Sequence, residues 1–149
     1  IEILGNTVEK ITVEKTGIFK KNIPLISAYQ DSTVKNIIIK EAKKKQCVVT
    51  FCKRHEKVKL NYLKGTHQQK NAALASKAVE ALSIGKTTQK TIHSSVSNTQ
   101  WYGRYQIIQN TPLVIFDVGH NAHGIRAFLN EYSREKILGK KYLIKWHKT

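Results

Sequence analysis

Leu113-Val114-Ile115-Phe116-Asp117-Val118-Gly119-His120-Asn121-Ala122-His123 is the stretch that decides how this chain is read. Its first four residues are an unbroken run of large apolar side chains, the pattern of a short strand within a sheet. Asp117 ends the run, a polar loop follows, and Ile125-Arg126-Ala127-Phe128-Leu129 continues as a helix. Strand, loop and helix in that order make half of a βαβ unit, so the expected class is α/β. Ligands of open α/β sheets gather at the carboxyl ends of strands, which places any chemistry at 117–123.

On the N-terminal side, Gln106-Ile107-Ile108 is strand-like and Trp101 opens this unit. Residues 86–100 are polar, with Thr87-Thr88-Gln89, His93-Ser94-Ser95 and Ser97-Asn98-Thr99, and suggest a domain boundary in which 90–95 could form a short helix. Gly65 opens a loop into a helix from Gln68 to about Ser83, rich in small residues (Ala72, Ala73, Ala75, Ala78), with Gly85 as its stop. Val58-Lys59-Leu60-Asn61-Tyr62 alternates like a half-buried strand, and Cys47 to Cys52 reads as another. Asp31-Ser32 caps a helix from Thr33 to Lys45 with Val34, Ile37, Ile38 and Ala42 on one face, and Pro24 opens a strand at 25–29. Asn6 and Glu9 form an expected capping box for a helix over 7–15, which Gly17 would end in the left-handed conformation. Tyr142 to Trp146 suggests a last strand. No internal repeat is present.

Four of these segments, in order, resemble the folylpolyglutamate synthase/dihydrofolate synthase family of the Mur-ligase superfamily. They are Leu4-Gly5-Asn6-Thr7 through Glu14-Lys15-Thr16-Gly17-Ile18-Phe19-Lys20, Gly65-Thr66-His67-Gln68-Gln69-Lys70-Asn71-Ala72-Ala73-Leu74-Ala75, Tyr102-Gly103-Arg104-Tyr105-Gln106, and Asp117-Val118-Gly119-His120-Asn121-Ala122-His123. The departures are Thr16 for Ala, Tyr102 for Pro, Tyr105 for Phe, Val118-Gly119 for Gly-Ala, and Ala122 for Pro.

The resemblance implies that 1–88 is the C-terminal part of a Mur-ligase central ATPase domain, 89–102 a linker, and 103–149 the start of a Rossmann-like C-terminal ligase domain. It implies ATP-dependent ligation of L-glutamate to dihydropteroate or folate through an acyl phosphate. Lys15, carbamylated in the family, would become a carboxylate-like ligand for Mg²⁺, which prefers oxygen. His67, Gln68 and Asn71 would lie near the nucleotide base. Arg104 would hold phosphate oxygens, with Gly103 as a hinge or turn. Asp117 would accept ribose hydroxyls, and His120 would position the acyl phosphate or the incoming amine. Asn121 and His123 are weaker candidates that helix capping explains equally well. Nucleotide and acid would meet in a cleft to which Lys15, Asn71, Arg104 and His120 contribute.

The phosphate loop is missing from this sequence: Gly85-Lys86 is followed by Thr87 and Gly139-Lys140 by Lys141, and neither pair has the upstream Gly at the required spacing. There is no Met, initiator or otherwise. An internal fragment, inactive alone, is therefore expected. With 149 residues, 40% of them hydrophobic and 24% charged, the composition is that of a globular chain rather than a disordered one. No window approaches a membrane span, and no signal peptide is visible. Cys47 and Cys52, five apart on one strand, would be about 16 Å apart, too far for a disulfide. Free thiols point to the cytoplasm, and the chain is expected to be monomeric. The net charge of +16 admits a basic nucleic-acid-binding module as an alternative. The lysines are dispersed, however, and Arg occurs only at positions 54, 104, 126 and 134, so that partner is not expected. Basic charge also suits polyanionic ligands. A cell-wall amino-acid ligase of the same superfamily is the other alternative.

Overall fold

A computed structural model describes residues 6–82 and 87–135, and the expectations for Gly85, Gly139-Lys140 and 142–146 lie outside them. The chain divides into two compact units, Ile1–Gln100 and Trp101–Thr149.

Unit 1 is built on a βαβ crossover. β1 (Leu25–Ser27) leads through α2 (Ser32–Lys44) to β2 (Val49–Phe51), and the two strands pair in parallel with Leu25 opposite Val49. Asp31 stands at the N-cap of α2, though its side chain makes no capping bond. Ile38 and Ala42 are buried, and Val34 and Ile37 half-buried, as the helical spacing requires. α1 (Val8–Thr16) packs on α2. Its N-cap is Thr7, whose side chain accepts from the Lys10 amide, rather than Asn6. The hydroxyl of Thr7 satisfies the free N–H of the first turn one residue later than the sequence suggested. Gly17 does not enter the left-handed region: its φ is −56° and its amide donates to Glu14 O, a tightened last turn.

α3 (Thr66–Leu82) packs on β1 and on α4 (Gln89–Ser97). Val58, Ala72 and Ala73 form a buried cluster flanked by Leu60 and Val96. Val58–Tyr62 is not a strand, and the chain bends at Asn61 and Tyr62. Its alternation faces helices, not a sheet: the Val58 amide donates to Gln69 O at 3.5 Å and the Asn61 amide to Ser97 O at 2.9 Å. The polar stretch read as a linker over 89–102 is largely α4, capped by Thr88 and anchored by Ile92, only 5% exposed. Ile92 and Val96, four apart, supply an apolar seam that overall polarity conceals. The compact units divide after this helix, between Gln100 and Trp101.

In unit 2, β3 (Gln106–Asn110) and β4 (Leu113–Phe116) form an antiparallel hairpin with an irregularity between Ile107 and Gln109, and α5 (Ala122–Arg134) follows. The Thr111–Pro112 peptide in the connection is cis.

Candidate functional site

The loops on either side of the β3–β4 hairpin carry Arg104, Asp117, His120 and Asn121, and hydrogen bonds lace them together. Asp117 leaves the end of β4 half-buried. Its Oδ1 accepts from the Gly119 amide at 2.8 Å and its Oδ2 from the Tyr105 amide at 2.9 Å. The Val118 amide donates to Gly103 O at 2.8 Å, and the Gly103 amide donates to Gln106 Oε1 at 2.9 Å. Arg104 therefore sits on a turn fixed on both sides. Gly103 has φ +73°, and a Cβ there would lie 2.6 Å from Val118 Cγ1, so both conformation and space demand glycine.

Tyr105 also has positive φ, +48°, a conformation costly for an aromatic residue. It is held there from three sides: its amide by Asp117, its ring 5.5 Å from that of Phe128, and its hydroxyl, which donates to Glu135 Oε2 at 3.1 Å. Burial, reinforced by the Glu135 carboxylate, pushes the phenol above its ordinary range and keeps it a donor.

His120 is exposed, with Nδ1 3.2 Å from Val118 O, so the histidine loop is anchored on the residue that pairs with Gly103. Asn121 is the N-cap of α5 and its Oδ1 accepts from the Gly124 amide at 2.8 Å, the capping role open to it from the start. His123 is exposed in the first turn of that helix.

In unit 1, α3 begins at Thr66, early enough that His67 and Asn71 share a face. Gln68 is buried, and its Oε1 accepts from Asn71 Nδ2 at 3.2 Å. Gly65, at φ +99°, lets the His67 ring lie against the backbone; a Cβ there would be 2.7 Å from His67 Cε1. Lys15 lies on a different helix, exposed in the last turn of α1, where its charge also suits the helix dipole.

Sequence reasoning passed over Tyr105, Gln106 and Glu135 as organisers of the Arg104 turn. Tyr105 and Gln106 had a signal, as the last two residues of the Gly-Arg-Tyr-Gln run, and Glu135 had none.

Among the described residues no three His, Cys, Asp or Glu side chains converge, so these residues do not by themselves make a metal site. A carbamyl group on Lys15 would add oxygen ligands without completing one. A cavity of about 270 Å³ in unit 1 is walled mostly by apolar side chains, Ile18, Phe19, Ile23 and Leu25 among them, with Lys20 and Ser27 as its polar members, and includes none of the candidate residues. One lysine and one hydroxyl among apolar walls do not make a triphosphate site. No described helix is long and apolar enough to cross a membrane, and both cysteines are free thiols.

No protein-family model matches the chain. It is 30% identical over 152 residues to the dihydrofolate synthase/folylpolyglutamate synthase of Bacillus subtilis, covering 84% of this chain and 35% of that protein. The apo form of the L. casei folylpolyglutamate synthase matches with a TM-score of 0.79 at 21% identity, over 92% of this chain and 40% of that one. A folylpolyglutamate synthase in complex with AMPPCP and folate matches with a TM-score of 0.78 at 21% identity, over 91% of this chain and 39% of that one. The chain thus spans about a third of the length of the curated relative, and its fold is the α/β fold of these Mur-type ligases. By sequence and fold together, the chain belongs to the dihydrofolate synthase/folylpolyglutamate synthase family.

Proposed function

We propose that this chain is a portion of an ATP-dependent ligase that joins L-glutamate to dihydropteroate or a folate through an acyl phosphate. Residues 1–88 would belong to the central ATPase domain and 103–149 to the C-terminal ligase domain. One observation carries the reading: the segments bearing Arg104 and His120, sixteen positions apart in the sequence, are tied directly to each other by Asp117 and by the Val118–Gly103 bond. A turn fixed in that way suits phosphoryl transfer, where the protein's work is positioning and charge stabilisation.

In this reading Arg104 holds phosphate oxygens and His120 orients the acyl phosphate or the incoming amine. Asp117 keeps lone pairs for ribose hydroxyls after accepting its two amides. His67 and Asn71 present one polar face of α3 to the base, with Gln68 bracing Asn71. ATP supplies the phosphoryl group. Lys15, if carbamylated, contributes one ligand to Mg²⁺; the remaining ligands and the phosphate loop must come from outside these residues. The free thiols support a cytoplasmic setting.

The 149-residue chain, given ATP, Mg²⁺, folate and labelled glutamate, is expected to incorporate none. A chimera in which this chain replaces the matching third of the B. subtilis enzyme is expected to release ADP in a glutamate- and folate-dependent manner. A soluble, folded chimera without that activity overturns the proposal, as does glutamate incorporation by the isolated chain.

A further inference from the structure

Asp117 and Tyr105 form a unit whose geometry goes beyond ligand binding. A non-glycine residue at φ +48° is strained, and such strain persists only where the surroundings over-determine it. Here the surroundings do so at each part of Tyr105. The amide is fixed by a carboxylate oxygen, a charge-assisted bond stronger than one between neutral groups. The ring is buried to 5% exposure and packed on Phe128, which itself stacks on Tyr132. The hydroxyl reaches Glu135 just past the end of α5. The residue so clamped is the immediate neighbour of Arg104. The other carboxylate oxygen of Asp117 fixes the Gly119 amide, the immediate neighbour of His120.

We infer that Asp117 is a positioning residue that presets the Arg104 turn and the His120 loop as one rigid body before any ligand arrives, with Tyr105 as the lever through which it acts on Arg104. The inference rests on the reading of Arg104 as a phosphate ligand and adds a role for Asp117 that ribose binding does not include. A carboxylate serves here because it alone among side chains of this size offers two acceptor oxygens and no donor. An amide in its place turns an N–H toward one of the two backbone N–H groups. Without the clamp, the turn relaxes toward ordinary φ and the guanidinium must be ordered at the moment of binding, at a cost in affinity.

The test uses the full chain, with AMPPCP as the probe and NMR as the readout. In D117N, amide exchange at Tyr105 or Gly119 is expected to quicken by up to about tenfold, the loss of one such hydrogen bond. AMPPCP affinity is expected to fall in Tyr105→Phe and in R104A, and the double variant of these two is expected to bind no more weakly than R104A alone; D117N also loses its ribose contacts, so the cycle runs through Tyr105. Tyr105→Phe, which keeps the ring and removes the Glu135 bond, gives a second and milder loosening of the same turn should D117N fold poorly. The thermal midpoint of each variant separates this effect from general destabilisation, which would not couple to Arg104. Multiplying losses in the double variant, or unchanged exchange at both amides, overturns the inference. Absence of any AMPPCP response in the unmutated chain removes instead the nucleotide reading of Arg104, and the amide exchange alone then decides whether Asp117 presets the turn.

Discussion

Two of the segments that carry candidate residues, 65–82 in unit 1 and 103–121 in unit 2, are held in place by different physics. His67 and Asn71 ride the first turns of a 17-residue helix whose buried side carries Gln68, Ala72, Ala73 and Ser76. Apolar contact fixes that helix, and the polar residues inherit their places from its period. In unit 2 the only described residues classed as buried are Gly103 and Tyr105. The loops there are held by side-chain bonds to backbone amides and by backbone conformations that most residues avoid. One site is placed by a core, the other by a few specific bonds, and the second should be far less tolerant of single substitutions at its turn.

The sharpest way to break this comparison is Gly103→Ala. The methyl would meet Val118 Cγ1 at 2.6 Å on a backbone with φ +73°. Left-handed strain and that contact together should cost about 2–4 kcal/mol. Urea unfolding followed through the Tyr105 and Gly119 amides measures it. A variant within about 0.5 kcal/mol of the parent, an ordinary surface change, would mean that the turn is not held as described. Next in size is Ala73→Leu in unit 1, where the side chain is 2% exposed in the cluster with Val58 and Ala72. Overpacking should cost about 1–3 kcal/mol and should appear as lost amide protection along α3. Unchanged protection would show that the helix rests on something other than that cluster.

The same contrast explains how much was legible in the sequence. α2, α3 and α5, and the strands β1, β2 and β4, follow from apolar spacing and turn residues, because burial writes a period into the chain. The class α/β followed from that, and the family from four short motifs. What escaped was set by tertiary context. Val58–Tyr62 alternates as a strand would, but the neighbour it meets is a pair of helices. α4 hides a buried Ile92 and a half-buried Val96 in a polar stretch. The positive φ of Tyr105 has no local signal, since aromatic residues rarely adopt it and only the contacts of Asp117, Phe128 and Glu135 enforce it. Candidate residues could be listed from motifs; that Asp117 spans the two loops of unit 2 could not.

The smallest expected effect refines the unit 1 side of the comparison, where a polar clamp supplements the core. Glu56 Oε2 accepts from the Lys53 amide at 2.8 Å, and its Oε1 lies 3.0 Å from Lys77 Nζ on α3. The amide bond chiefly, and Lys77 after it, hold the Glu56 carboxyl below its ordinary value of 4.5. A depressed folded pKa means that the folded state binds this proton less readily than the unfolded chain. The stabilisation is therefore complete above about pH 4.5 and is lost as pH falls through the lower folded value. Glu56→Gln keeps an oxygen that can accept from Lys53, so only the charge-dependent share disappears, at most about 1 kcal/mol near neutral pH. Urea unfolding of parent and variant should differ at pH 7 and converge in acid, where the parent's own carboxyl is neutral. Added salt should shrink the neutral-pH difference by screening Lys77. A gap that persists in acid would assign the role of Glu56 to its shape and not to its charge. The 53–56 turn would then owe its place to packing alone, like the helix beside it.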